Sequence, residues 1–362
     1  MNETIKQRIF AKNQKLADMV IEKAKRDFPD EIALIGLTGS FSTGDFHEKS
    51  DLDLIIVNNT DKGWEIGDCF ILDDVGYDVY CTPWEKLEEA ARAETVWMAL
   101  LVDLEVLYVA DSKHLERFNE LKEKALKILA QPVSEAHVKR AEKHLNLAKQ
   151  AYAEMMLSSE IGHVRFLSSY LIYHVFNGIV ALNNTYMKGG FKRHLKDLMA
   201  YDYLPEQLDQ LYMEIIEAKT VGLIRSHSLS FLKSFTQLYE EMKRAQMIEK
   251  MPTFENLKGT YEELWSNYRN KIIKSTSEND KYCAFDAASN AQNFFDSMTD
   301  YVGTPQFNLM KHFDADHLDA FRETFLEMME EYRQEYDKVG RQVRQFDSFD
   351  ELYQQFMDVK KS

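Results

Sequence analysis

The stretch that decides the fold is Leu37-Thr38-Gly39-Ser40, followed after residues 41–50 by Asp51-Leu52-Asp53-Leu54-Ile55-Ile56-Val57. Both segments contain an apolar run of strand length, and each run has polar residues at one end. The first run ends in a turn at Gly39-Ser40, and the second begins beside two acidic residues. Because side chains alternate along a strand, Asp51 and Asp53 are predicted to share one face, while Leu52 and Leu54 face the core.

The two neighbouring carboxylates predict a cation site. Like charges side by side repel each other, and a cation between them removes that cost. Mg²⁺ prefers oxygen ligands and keeps positions open for substrate phosphates. Gly39 allows close approach of the backbone, and Ser40 can offer an N–H and a hydroxyl to a phosphate. Each half alone is also typical of ordinary structure, a strand-ending turn or an exposed strand face, so the prediction depends on both halves in this order.

A third carboxylate, Asp78, is predicted to complete a two-metal site. It lies within a third strand, 77–81, between Tyr77 and Val79, which would face the opposite way. Asp is disfavoured in the middle of a strand, and metal ligation would explain its presence there. The alternative is a solvent-facing Asp on an edge strand.

The elements around these strands indicate an α+β fold. A helix over 3–27 precedes the first strand, and Thr82-Pro83 with Glu85 predicts a capping box for a helix that runs to about residue 101. A strand over 104–109 and a helix over 112–130 follow.

The chain changes character at Gln131-Pro132. From there on only helical periodicity is present. We therefore expect an N-terminal α/β domain with a mixed sheet over 1–130, a helical domain over 131–248, and a further helical region of unassigned role over 249–362. The helical part is predicted to form one or two bundles.

Composition excludes several classes of protein. The 362 residues include 60 acidic and 44 basic side chains, a net charge of −16, so nucleic acid is not an expected partner. Cys69, Cys81 and Cys283 form no CxxC pair, which argues against a disulfide scaffold or zinc cluster and favours a reducing compartment. The polar N-terminus has no signal-peptide pattern, and no segment predicts a membrane span. We expect a cytoplasmic protein with no membrane partner.

Residues 37–57 resemble the signature of the nucleotidyltransferase superfamily that includes DNA polymerase beta: an apolar residue, Gly-Ser, a spacer, and Asp-x-Asp in an apolar strand. Asp78-Val79-Tyr80 is similar to the strand of the third acidic residue. Within the superfamily the chain is most similar to bacterial antibiotic nucleotidyltransferases, such as kanamycin nucleotidyltransferase. The resemblance covers about residues 25–245 and includes FLSSYLIYHVFNGIVALNN at 166–184.

The resemblance implies Mg²⁺-dependent transfer of a nucleoside monophosphate to a hydroxyl of a small molecule, such as an aminoglycoside-like antibiotic. The donor would be ATP or another nucleoside triphosphate, with AMP transferred from ATP. Asp51, Asp53 and Asp78 would be catalytic and hold two Mg²⁺ ions, Gly39 and Ser40 would bind the nucleotide, and the helical domain would bind the acceptor. Two alternatives stay open: modification of a partner protein, as in toxin–antitoxin pairs, and a nucleotide-binding module without catalysis.

The sequence departs from the family pattern in one place. Many relatives carry a basic residue soon after Gly-Ser, whereas this chain has Phe41-Ser42-Thr43. The resemblance leaves four side chains as candidates for neutralising the triphosphate, with no choice among them: Lys49, Lys188, Lys192 and Arg193.

Overall fold

The chain forms two units. A computed structural model describes residues 3–44, 46–93, 98–188, 194–246 and 250–358. The contacts between residues divide it into Met1–Met247 and Ile248–Ser362. The predicted subdivision of the first unit at residue 130 stays a prediction.

A five-stranded mixed sheet forms the centre of the N-terminal part. The strands are β1 Ile32–Thr38, β2 Asp53–Asn58, β3 Asp68–Leu72, β4 Val75–Pro83 and β5 Glu105–Val109. Their order is β3-β4-β2-β1-β5, in which β2 and β4 run parallel and the other neighbouring pairs run antiparallel. This topology, followed by helices, confirms the predicted α+β fold class.

Helices cover both faces of the sheet. Around it lie α1 Glu3–Asp27, α2 Gly39–Thr43, α3 Trp84–Ala91, α4 Ala99–Val102, α5 Ser112–Leu129 and a 3₁₀ helix, Asp61–Ile66. Alternation along β2 separates two cores: Leu54 packs with α1 residues, whereas Ile55 packs with α3, α4 and α5. Leu52 and Leu54 are buried in the core beneath α1, as predicted.

The predicted capping box at Thr82 is wrong. β4 continues through Pro83, because Val57 pairs with Thr82 and Asn58 pairs with Pro83 in the parallel ladder. Thr82 is completely buried, and its hydroxyl has no hydrogen-bond partner among the described atoms. Pro83 occupies the N-cap position itself, and α3 ends at Ala91 and not near residue 101. Pairing with β2 therefore overrides the local helix-start signal.

The rest of the first unit is helical. It contains α6 Glu135–Leu157, α7 Ile161–Leu182, α8 His194–Leu198, α9 Leu208–Glu217 and α10 Val221–Gln246. Side chains of α6, α7, α9 and α10 share one apolar core, which includes Leu145, Val175 and Phe235. α9 and α10 are separate helices, since the chain leaves the helical path between Glu217 and Val221.

The second unit consists of helices around its own core. They are α11 Thr260–Leu264, a π-helical turn Trp265–Arg269, α12 Asn270–Ser277, α13 Lys281–Val302, a 3₁₀ helix Leu309–His312, α14 Leu318–Lys338 and α15 Phe349–Asp358. Phe295 of α13 and Phe325 and Tyr332 of α14 are fully buried in that core. Across both units, no helix within the described residues is long and apolar enough to cross a membrane.

Candidate active site

A tight turn at Gly39 joins β1 to α2 at the sheet edge where β2 begins. The register pairs Thr38 with Asp53, so the turn lies against the first residue of β2. Gly39 has a φ of +74°, in the left-handed region that favours glycine. A Cβ at this position would lie 1.8 Å from Oδ2 of Asp53. Glycine is therefore required twice, for its backbone conformation and for the Asp53 carboxylate that packs against its Cα.

The Asp53 carboxyl is half-buried beside a second carboxyl. Burial raises the pKa of Asp53, and the neighbouring Asp51 carboxylate raises it further. The backbone N–H of Ser40 donates to the Asp53 carboxylate and opposes part of this rise in pKa. The structure thus brings Asp51, Asp53 and Ser40 together. The two carboxylates repel each other at partly desolvated positions, a repulsion that a bound cation would relieve.

Asp78 lies on the strand next to β2. Leu54 pairs with Val79 in the parallel register, so Asp53 and Asp78 come one residue earlier on the two strands and belong to the same face. Tyr77 and Val79 are buried and Asp78 is exposed, as the alternation predicts. Cys69, its partner on β3, donates from Sγ to Oδ1 of Asp78 at 3.5 Å, and this bond raises the pKa of Cys69.

The described residues contain no group of three or more His, Cys, Asp or Glu side chains that could hold a metal ion. The structure joins Asp51 with Asp53 and leaves Asp78 outside that pair, so its predicted metal role stays a prediction. The oxygen donors of Asp51 and Asp53 have the chemistry that a hard divalent ion prefers. This pair fits the metal that the resemblance implies.

The structure describes two of the four basic residues that are candidates for neutralising the triphosphate. Lys49 is exposed and lies 3.7 Å from the Asp74 carboxylate, in the turn between β3 and β4. Lys188 is exposed after the end of α7. Lys192 and Arg193 lie outside the described residues.

Sequence reasoning missed one carboxylate at this sheet edge. Leu37 pairs with Glu105, so continuing the β1–β5 register brings Asp103 towards Gly39. Asp103 accepts a 2.7 Å hydrogen bond from the hydroxyl of Tyr186, and burial together with this bond raises the pKa of Tyr186. The two residues are 83 positions apart, and no local pattern signals their contact.

A comparison with protein families identifies the N-terminal part. Residues 17–133 match the family model described as a nucleotidyltransferase domain. This segment is similar to nucleotidyltransferase domains. It contains all five predicted site residues, and the match confirms the predicted enzyme class, a nucleotidyltransferase. The helices beyond residue 133 lie outside the matched segment.

Comparison with solved structures gives a distant similarity. A nucleotidyltransferase-like protein from Exiguobacterium sibiricum is similar to this chain, with 10% sequence identity and a TM-score of 0.34. The similarity covers 63% of this chain and 74% of that protein. No curated protein matches the chain.

Proposed function

We propose that the nucleotidyltransferase domain transfers a nucleoside monophosphate, AMP from ATP, to a hydroxyl of a small molecule. The observation that carries the proposal is the half-buried carboxylate pair Asp51 and Asp53, packed against the Gly39 turn at a sheet edge within the matched segment. A structural ion pair would place a basic partner beside Asp53, whereas the charged neighbour that acts on it within the described residues is the Asp51 carboxylate. Repulsion of this kind is characteristic of sites that bind cations or charged substrates.

The reaction is an in-line displacement at the α-phosphorus. A bond forms between the acceptor oxygen and the α-phosphorus, and the bond from that phosphorus to the bridging oxygen of the β-phosphate breaks. Pyrophosphate leaves with the bonding electron pair, and the acceptor hydroxyl gives up its proton. The protein must therefore hold the triphosphate, position the hydroxyl and tolerate the developing negative charge.

The residues at the sheet edge would divide this work. Asp51 and Asp53 would hold the Mg²⁺ that accompanies the triphosphate, and Asp78, on the adjacent strand, would help to hold a second ion. Gly39 and Ser40 bind the nucleotide, since the Gly39 turn brings backbone close to the carboxylate pair. A bound divalent ion would neutralise charge on the attacking and leaving oxygens. The helices over 131–248 would position the acceptor.

The proposed setting is the cytoplasm. The three cysteines, Cys69, Cys81 and Cys283, are free thiols, which suits a reducing compartment. The proposed partners are the nucleoside triphosphate and the small-molecule acceptor. The aminoglycoside-like acceptor that the resemblance implies is a polycation, and it belongs in the experiment below with acceptors of other charge.

Mass spectrometry of products after incubation with ATP, Mg²⁺ and a library of hydroxyl compounds tests the proposal. We expect one compound to gain the mass of AMP, with release of pyrophosphate, and Asp53→Asn to abolish the gain. Asp74→Asn is the matched control, because Asp74 is an exposed carboxylate in the β3–β4 turn and should leave transfer unchanged. A wild-type protein that modifies no hydroxyl compound with any nucleoside triphosphate would contradict the proposal. A mass gain on a co-purified protein instead would support the partner-protein alternative.

A further inference from the structure

A cavity of about 440 Å³ lies within the first unit, a volume suited to a small molecule. Polar side chains from two helices line it: Arg140, Lys143 and His144 of α6, and Asn177 of α7. Tyr186 closes another part of its wall. The cavity therefore combines a concave, partly open space with several groups that can donate hydrogen bonds.

The cavity borders the sheet edge of the candidate active site. Its wall residue Tyr186 donates to Asp103 at 2.7 Å. Asp103 lies two residues before the start of β5, at the edge where the β1–β5 register leads to Gly39. A molecule in the cavity would thus lie on the side of the sheet edge from which an acceptor can approach the nucleotide.

Arg140 supplies a half-buried positive charge to this cavity. One of its terminal nitrogens donates to the carbonyl of Ala93 at 2.7 Å, and its Nε is buried with no hydrogen-bond partner among the described atoms. Burial lowers the pKa of Arg140. Within the described residues no carboxylate forms an ion pair with Arg140 or Lys143, and none lines the cavity. A partly buried charge without a counter-charge costs free energy, which an anionic ligand would recover.

His144 of this wall, in contact with His174 of α7, adds hydrogen-bonding capacity and no charge. His144 and His174 approach each other at 3.2 Å between their Nδ1 atoms. Burial, together with the neighbouring His174 and Lys143, lowers the pKa of His144 to about 4, and burial also lowers the pKa of His174. Both rings are therefore neutral near pH 7, and the positive charge of the described wall comes from Arg140 and Lys143.

We propose that this cavity binds an anionic group, a phosphate or carboxylate, of the acceptor, so that the acceptor is an anionic hydroxyl compound and not a polycation. This inference rests on the proposed function. The guanidinium of Arg140 offers several N–H donors in a planar fork, of which one bonds the Ala93 carbonyl, so that other donors of the fork can bind an oxyanion in the cavity. Lys143, three residues after Arg140 on α6, adds a second cation to the cavity wall. A polycationic aminoglycoside would meet two like charges and no carboxylate on the described wall.

Calorimetric titration with inorganic phosphate tests the cavity without requiring turnover. We expect wild-type protein to bind phosphate, and Arg140→Gln and Lys143→Gln each to weaken binding about tenfold. Lys139→Gln is the matched control, since Lys139 lies on the same helix, 67% exposed, in an ion pair with Glu135. Phosphate affinity that is unchanged in both variants would overturn the proposal. Lys143 is exposed, so Lys143→Gln decides the outcome even where Arg140→Gln fails to fold.

Titration with Mg²⁺-ATP separates an acceptor anion from the nucleotide's own phosphates. We expect Arg140→Gln to bind Mg²⁺-ATP as wild type does. A tenfold loss of ATP affinity in Arg140→Gln would assign the cavity to the triphosphate and overturn the proposal.

A transfer assay with sugar phosphates, hydroxy acids and aminoglycosides then tests the acceptor class. We expect transfer to an anionic compound, with KM raised by Lys143→Gln. Efficient transfer to an aminoglycoside alone would overturn the inference while supporting the proposed function. If no compound were modified, the proposed function would fail, and the phosphate titration would still decide whether the cavity binds anions.

Discussion

Replacing Gly39 with Ala perturbs the candidate site at its tightest contact. Gly39 has a φ of +74° and Gly44, five residues later, has a φ of +76°. An added Cβ at Gly39 would lie 1.8 Å from Oδ2 and 2.5 Å from Cγ of Asp53, whereas a Cβ at Gly44 would meet nothing within 4 Å. The two substitutions therefore share the same backbone strain and differ in the clash with Asp53.

The expected magnitudes follow from this difference. A left-handed Ala costs about 1 kcal/mol, which is the full expected effect of Gly44→Ala on the free energy of unfolding. Gly39→Ala must also push the Asp53 carboxylate off the Ser40 N–H, and the loss of a hydrogen bond to a charged group adds about 2 kcal/mol. We therefore expect Gly39→Ala to lower the free energy of unfolding by about 3 kcal/mol in total. Displacing Asp53 by an ångström or more should also lower nucleotidyl transfer on the order of a hundredfold.

Urea unfolding and initial transfer rates measure both effects. Asp53→Ala provides the second arm of a double-mutant cycle, because it removes the two atoms closest to the added methyl. In that background Gly39→Ala should cost no more than Gly44→Ala does in wild type. Equal stability and equal activity of Gly39→Ala and Gly44→Ala in the wild-type background would refute the reasoning.

Three further predictions concern charge. Asp53→Asn should abolish transfer, and its melting temperature without metal should equal or exceed that of wild type, because the substitution removes repulsion between half-buried carboxylates. Scanning calorimetry measures the melting temperature, and a lower value for Asp53→Asn would contradict the prediction. Asp78→Ala should lower the transfer rate about a hundredfold and Mg²⁺-ATP affinity much less. Its control is Asp74→Asn, chosen because Asp74 has a φ of +58°, which Asn tolerates; equal activity of the two variants would refute the assignment. Burial lowers the pKa of His144 from 6.5 to about 4, so between these values the unfolded chain binds more protons than the folded protein, and stability falls as the pH falls through that window. The free energy of unfolding, measured by urea titration, should fall by about 3 kcal/mol across this window. His144→Gln should reduce the dependence of this free energy on pH, leaving the part that comes from His174. An unchanged pH dependence in His144→Gln would contradict the role of His144.

The sequence by itself predicted the α+β fold class and the enzyme class, a nucleotidyltransferase. Both depend on local rules, since apolar runs define strands and the alternation of side chains puts Leu52 and Leu54 in the core below Asp53. The Gly-Ser turn and the Asp-x-Asp strand both lie within residues 37–57, so this one segment is enough to indicate the family. The buried Tyr77 and Val79 around the exposed Asp78 follow from the same alternation.

Only the tertiary structure decided the features that depend on pairing between distant segments. The Thr82 signal for a helix start failed because Thr82 pairs with Val57 in a parallel ladder, and such pairing outweighs a local cap. The contact of Tyr186 with Asp103 and the cations at the cavity wall have no local signature. Arg140 belongs to an ordinary amphipathic helix in the sequence, and its half-buried, unpaired state arises only when α6 packs beside Ala93. Desolvation and the distance to a counter-charge are properties of the folded arrangement, so the charge of the cavity could be read only from the structure.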